Sequence, residues 1–317
     1  MVMRIKHLLV VGVLLAMSNT SFAYTPSMCY LPKGDFDEYD EYECIQEFLR
    51  VRRDNKWGMV DGTDERIKYL TEIKYDEIEE PQGWRDEGYY AVVRQQKKYG
   101  LIDDTGKEIL PIKYAKVFIL PDGFGKDGFI KVANTVNNYE YGDFNYVNKS
   151  GKLISSITYE DAISFSEGLA AVKKNGKWGF IDNTGKTVIA LQYEDALPFS
   201  EGLATVKQNG KWGFIDKTGK TVLGFNYESA RNFYNNLAPV QLKSGFFSKK
   251  AKWGFIDKTG KAVIAFNYDD AMFYGGYPKV KQGDDWIFYD TDGSKRLDED
   301  PYFCCYGPMI SGRPDRD

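Results

Sequence analysis

The chain has 317 residues, 42 Lys and Arg against 46 Asp and Glu, and a formal net charge of −4. That balance lacks the basic footprint a nucleic-acid partner requires. The single histidine, His7, lies in the N-terminal leader, so the mature chain offers no imidazole for Ser–His–Asp or Cys–His catalysis or for a His-ligated metal.

Residues 1–23 read as a secretory signal. Arg4 and Lys6 open it, Leu8 to Met17 is an apolar run too short for a bilayer span, and Ser21-Phe22-Ala23 supplies a small-residue cleavage site. Removing it takes away two cations, so the net charge moves from −4 to −6. No cysteine stands at the cleavage point, which argues against a lipoprotein, and no later apolar segment approaches membrane length. The expected location is outside the cytoplasm, periplasmic or secreted, with no membrane span after cleavage.

Residues 24–45 form an N-terminal segment with Cys29 and Cys44, and residues 298–317 a tail with Cys304 and Cys305. In an oxidising compartment these four read as disulfides. Three pairings are open, and two of them tie the chain ends together. Metal binding by the four thiols is the rival reading, with no histidine to support it.

Between these segments, residues 46–297 repeat. Lys-Trp-Gly-Phe-Ile-Asp starts at Lys177, Lys211 and Lys252. The markers Trp57, Tyr99, Phe144, Trp178, Trp212, Trp253 and Trp286 define seven units of about 34 residues, and in five of them a Tyr follows the marker by 15 positions. Each unit reads as strands. Leu169 to Lys173 is one, Asn175-Gly176 is a type I′ hairpin signal, and Trp178 to Asp182 is the return strand. Asp182-Asn183-Thr184-Gly185 is a second turn, Thr187 to Ala190 a third strand, and Tyr193 to Ala196 a short fourth. No window of the mature chain carries a helical period. The fold class is all-β. A β-propeller-like ring is favoured, with an open β-hairpin solenoid as the alternative. The ring draws on the last unit, which lacks the Tyr-acidic-Ala ending. Residues Tyr39-Asp40-Glu41-Tyr42 are expected to supply its missing outer strand.

Lys-Trp-Gly-Phe-Ile-Asp-Lys-Thr-Gly-Lys at 211–220, preceded by Phe199-Ser200-Glu201-Gly202-Leu203-Ala204, resembles the bacterial WG-repeat family. The resemblance spans roughly residues 46–297. It departs from the pattern at Tyr99, which replaces Trp, and at Asn145 and Ile287, which replace Gly. It implies a repeat scaffold, often secreted or surface-bound, and carries over no catalytic residue.

The marker residues Trp57, Trp178, Trp212, Trp253 and Trp286 are expected to be structural core, and each Asp before Thr-Gly to cap its own turn. Glu167 and Glu201 superficially suggest a paired-carboxylate glycosidase, but they are related by the repeat, so a structural role is simpler. Asp290-Thr291-Asp292-Gly293 aligns with the ordinary turn rather than a calcium loop. No metal and no cofactor is expected.

Candidate partner-binding residues lie where the array departs from itself. Two departures fall at the same turn of the unit. One is a loop over 134–143 with Tyr139 and Tyr141. The other, over 243–250, carries Phe246 and Phe247 beside Lys249 and Lys250. A third, Trp84, lies in a longer connection between units, on a different edge. The functional expectation is an exported, non-enzymatic scaffold binding another protein in the cell envelope. The alternative is a cell-wall module that binds glycan or peptidoglycan.

Overall fold

The computed structural model describes residues 36–39, 48–61, 68–84, 88–119, 127–137, 140–243 and 250–296. Among them there is no helix, and the strands form seven antiparallel sheets that follow one another along the chain. In sheet 5, Asp195–Ala196, Leu203–Gln208, Lys211–Asp216 and Thr221–Tyr227 pair in chain order. Sheets 4 and 6 repeat this plan. Sheet 2 adds a strand, Gln82–Trp84, that pairs with the start of Gly88–Gln95.

The two turn types read from sequence form as expected. Asn175 and Gly176 take φ of 51° and 73°, the pair of positive values a type I′ turn needs. The boundary of the unit is different. The short strand after each Tyr-acidic pair does not close its own hairpin set. Asp195–Ala196 pairs with Val206 and Lys207, so it opens the next sheet. The same register settles the N-terminal segment. Glu38 pairs with Arg52 and Tyr39 with Val51, as Asp161 pairs with Lys173 and Ala162 with Val172. Glu38–Tyr39 is therefore the first strand of sheet 1, which corrects the assignment of Tyr39 to the last sheet, while Asp40, Glu41 and Tyr42 lie outside the described residues.

The core lies between sheets, not within them. One cluster joins Trp178, Phe180, Ile189 and Tyr193 of sheet 4 to Ala196, Phe199, Val206 and Ile215 of sheet 5. Equivalent clusters join each consecutive pair from sheet 1 to sheet 7. Each contains a fully buried aromatic or branched side chain, and burying one stabilises by about 2–3 kcal/mol.

The Gly after the marker has a steric cause. The fourth strand is bulged: Trp178 pairs with Tyr193 but Phe180 pairs with Ile189. The bulge lays the fourth-strand backbone directly over Gly179, where a Cβ would sit 2.6 Å from the Ile189 carbonyl oxygen. Gly100, Gly213 and Gly254 are equally crowded by backbone oxygens at 2.7, 2.9 and 2.6 Å. Sheet 3 shows the alternative. Its position is Asn145, buried, with Nδ2 donating to the Ser155 and Ile157 carbonyls at 2.8 and 3.0 Å. The fourth strand is reduced to the bridges Phe144–Tyr159 and Val147–Leu153, as it is to Trp57–Tyr75 and Val60–Tyr69 in sheet 1, which keeps Gly58. In sheet 7, with Ile287 at the position, only a Tyr289–Lys295 bridge is present among the described residues.

Two opposite substitutions at this position are expected to have the same effect in denaturant unfolding. Gly213→Ala destabilises by about 2–3 kcal/mol through the clash with the fourth strand. Asn145→Gly, although it restores the repeat's own residue, also destabilises, by about 1–3 kcal/mol, because two carbonyls lose their donor.

Candidate functional site

The meander gives the array two edges. One carries the Ser-Glu-Gly and Asp-x-Thr-Gly turns, and the opposite one carries the Asn-Gly turns and the Tyr-acidic connections. Most repeated polar residues on both edges are engaged in fixed contacts. On the Asn-Gly edge, Glu160 accepts from the Asn175 and Gly176 amides at 2.7 and 3.0 Å, Glu194 from Gly210 at 3.0 Å and Asp269 from Gly283 at 3.0 Å. The Lys of the motif pairs with the acid 17 residues on, Lys211 with Glu228 and Lys252 with Asp269, each at 2.6 Å. Lys211 draws the Glu228 carboxyl below its usual range, and Lys252 does the same for Asp269.

The other edge carries an inter-sheet ladder. Asp127 accepts from the Gly168 amide at 2.9 Å, Glu167 from Gly202 at 3.0 Å, and Glu201 from Asn236 at 2.9 Å. Lys217 and Lys258 pair with Glu167 and Glu201 at 3.2 Å. Ser166 and Ser200 donate to the carbonyls of Phe199 and Phe233 in the following sheet, at 2.8 and 2.6 Å. Glu167 and Glu201 thus tie neighbouring sheets together. Asp182, Asp216 and Asp257 cap their turns as expected. Asp216 accepts from the Thr218 hydroxyl at 2.6 Å and from the Thr218 and Lys220 amides at 2.9 and 3.0 Å. The Asp290–Gly293 turn keeps the same backbone bonds, from Asp290 N–H to the Ser294 carbonyl at 2.9 Å and from Gly293 N–H to the Asp290 carbonyl at 3.0 Å, but Asp292 accepts from Ser294 while Asp290 pairs with Arg296. Among the described residues no cluster of acids, His or Cys is arranged to hold a metal.

The markers divide. Trp178 and Trp253 are buried core. Trp57 and Trp212 are half-buried, with Arg52 and Lys207 over their rings. Trp286 is 37% exposed, which corrects its assignment to the core. Elsewhere the marker pairs across to the Tyr of a fourth strand, as Trp253 does with Tyr268. Opposite Trp286 no described residue takes that place.

The candidate loops are placed only in part. Phe246, Phe247, Lys249, Tyr139 and all four cysteines lie outside the described residues, as does the side chain of Trp84. Lys250 is exposed at the start of the return strand. The extra residues of sheet 3 are not a free loop. They extend the hairpin, with Thr135 opposite Gly142 and Val136 opposite Tyr141. Tyr141 is 39% exposed and packs edge-on against Phe118 at 5.6 Å.

A group not singled out from sequence stands on the Ser-Glu-Gly edge. At the Ser position, sheets 6 and 7 carry Tyr234 and Tyr274, 50% and 44% exposed. Tyr234 packs on Phe273 at 5.1 Å and Tyr274 on Phe288 at 6.1 Å. Aligning Phe199-Ser200-Glu201-Gly202 with Phe233-Tyr234-Asn235-Asn236 shows the substitution directly.

A stack of antiparallel hairpin sheets with a repeated marker-Gly pair defines a β-repeat protein. The profile of the family described as "WG containing repeat" matches residues 99–130, 146–178, 178–212, 212–245 and 253–286, together just over half of the chain. The chain belongs to this WG-repeat family, which is defined by its repeat. No curated protein matches it. Solved structures similar to it include a eukaryotic initiation factor, at 11% identity and TM-score 0.48 over 81% of this chain and 74% of that one. Hsv2 of Kluyveromyces lactis aligns at 11% identity and TM-score 0.38 over 78% and 92%. Dipeptidyl peptidase 4 of Porphyromonas gingivalis aligns at 12% identity and TM-score 0.44 over 83% of this chain and 50% of that one.

The turn-capping carboxylates set a pH response. Hydrogen bonds from the Thr hydroxyl and then from turn amides hold Asp182, Asp216 and Asp257 below the ordinary carboxylate range. A depressed folded pKa contributes stability above the unfolded value and loses it as pH falls through the folded one. Thermal stability is expected to be level from about pH 7 to 5 and to drop below about pH 4. Thr218→Val should raise the Asp216 pKa, read by NMR titration, and make the drop below about pH 4 smaller, because the folded value then lies closer to the unfolded one.

Proposed function

We propose that this chain is an exported, non-enzymatic WG-repeat scaffold that binds another protein in the cell envelope, and that seven units close into a ring. The observation that carries the scaffold reading is the engagement of the repeated acids, lysines and serines in turn caps and inter-sheet bonds. Glu167 and Glu201, the residues best suited to acid–base work, each hold the next sheet. Recognition then falls to the departures from the repeat, foremost the 243–250 turn with Phe246 and Phe247, whose flanking strands Leu237–Leu242 and Lys252–Asp257 form a paired, rigid base.

Burial at the two ends of the array supports closure. Leu49, Val51 and Val60 of sheet 1 face away from sheet 2, yet are at most 1% exposed. Phe288 of sheet 7, the counterpart of Phe180, is 5% exposed. An open rod would leave both end faces in water. In this reading closure is by face-to-face packing, and a disulfide between the terminal segments locks it.

The full-length exported protein, used as bait on an envelope extract, should retain a protein that Phe246→Ala with Phe247→Ala releases. Retention unchanged by the double variant would remove the turn as the site. Non-reducing peptide mapping should show Cys29 or Cys44 joined to Cys304 or Cys305. A Cys29–Cys44 bridge would remove the disulfide from the closure account.

A further inference from the structure

We infer that the turn tips of sheets 6 and 7, built around Tyr234 and Tyr274, form a binding platform for a neutral glycan. This goes beyond the protein-scaffold reading, whose 243–250 segment joins the strand ends Leu242 and Lys252 on the opposite edge, so either can fail without the other.

The ladder on this edge changes character along the array. Its turn tips carry acids at Asp127, Glu167 and Glu201 in sheets 3, 4 and 5. In sheets 6 and 7 the tips are Tyr234-Asn235-Asn236 and Tyr274-Gly275-Gly276-Tyr277, with no charged residue. At the same step the Ser that bonds to the next sheet gives way to an exposed Tyr. The polar bond to the next sheet passes to Asn235, which donates to the Gly276 carbonyl at 2.8 Å.

The platform is fixed in advance. The Asn235 bond ties the two turns to each other. A Cβ added at Gly276 would lie 4.0 Å from the Tyr234 ring and hydroxyl, so the bare glycine turn sits against that ring. Tyr234 also rests on Phe273, while Lys279 holds Tyr274 with its ammonium 4.7 Å from the ring centroid. Arg296 lies 4.2 Å over Tyr277, and its charge is met by Asp290 at 2.7 Å. Tyr rings provide flat contact area at small conformational-entropy cost, and preorganisation converts more of that contact into affinity.

The occupant follows from the chemistry. The tips themselves carry no charged residue, and the charges beside them are engaged: Glu201 holds the Asn236 amide and Lys258, and Lys279 lies over the Tyr274, Trp286 and Phe288 rings, which favours a neutral ligand. Exposed Tyr rings match the C–H faces of pyranose rings, and the Tyr234 hydroxyl and exposed Asn236 amide match sugar hydroxyls.

Titration of the full chain with neutral hexasaccharides, the β-1,4 hexamers of glucose and of N-acetylglucosamine, tests this by NMR. At least one should bind saturably and shift residues of both turns. Tyr234→Ala with Tyr274→Ala should weaken binding by about tenfold or more, whereas Tyr234→Phe keeps most of it and Val188→Ala, at an exposed position in sheet 4, leaves it unchanged. No saturable binding of either hexamer overturns the inference. So does binding that the double variant leaves intact in a folded protein, or a protein partner found protecting these turns instead.

Discussion

The passage of a bulged fourth strand over a bare glycine is the contact on which the rest of this structure depends. A regular strand sends alternate side chains to opposite faces. Without the bulge, Ile189, Leu191 and Tyr193 would all face one way. With it, Ile189 and Tyr193 enter the cluster shared with sheet 5 while Leu191 packs back against the cluster shared with sheet 3. One strand therefore supplies both interfaces of its sheet. The next unit answers in kind: Phe225 reaches back to stack with Tyr193 at 6.4 Å. The two-residue offset fits only because position 179 has no Cβ, and the recurring Trp-Gly pair is the sequence trace of that fit.

Function is constrained by the same economy. A unit this short has few polar side chains, and the array uses most of them to join turns and neighbouring sheets. Glu160, Glu194 and Asp269 hold hairpin turns, and Glu167 and Glu201 hold the following sheet. Each of these groups has a fixed structural partner. What varies between units is turn length and the identity of the tip residue, and recognition properties accumulate there.

Much of the fold was legible because it is local. The Asn-Gly turns, the alternating strands and the 15-residue marker-to-Tyr spacing each reflect one hairpin. The phase of the sheets was not legible. Asp195–Ala196 follows its own unit in sequence but pairs with Val206 and Lys207, a choice made by non-local packing. The extended hairpin around Thr135 and Tyr141 was read as a loop because inserted residues give no sign of whether they continue pairing. Trp286 holds the position of Trp253 in its unit yet is 37% exposed, so a place in the repeat does not by itself fix burial. Tyr234 and Tyr274 were visible as substitutions, yet only their exposure separates them from the buried aromatics around them.

Amide hydrogen exchange on Gly213→Ala tests the central role of that contact. If the close approach fixes the fourth strand and, through it, the packing of the next sheet, protection should fall across Thr221–Tyr227 and Leu237–Leu242. Strands Leu169–Lys174 and Lys177–Asp182, one sheet upstream, should keep theirs. Unchanged protection in Thr221–Tyr227 would contradict the account, because the sheet would then have accommodated a Cβ where the structure leaves 2.9 Å to a carbonyl oxygen.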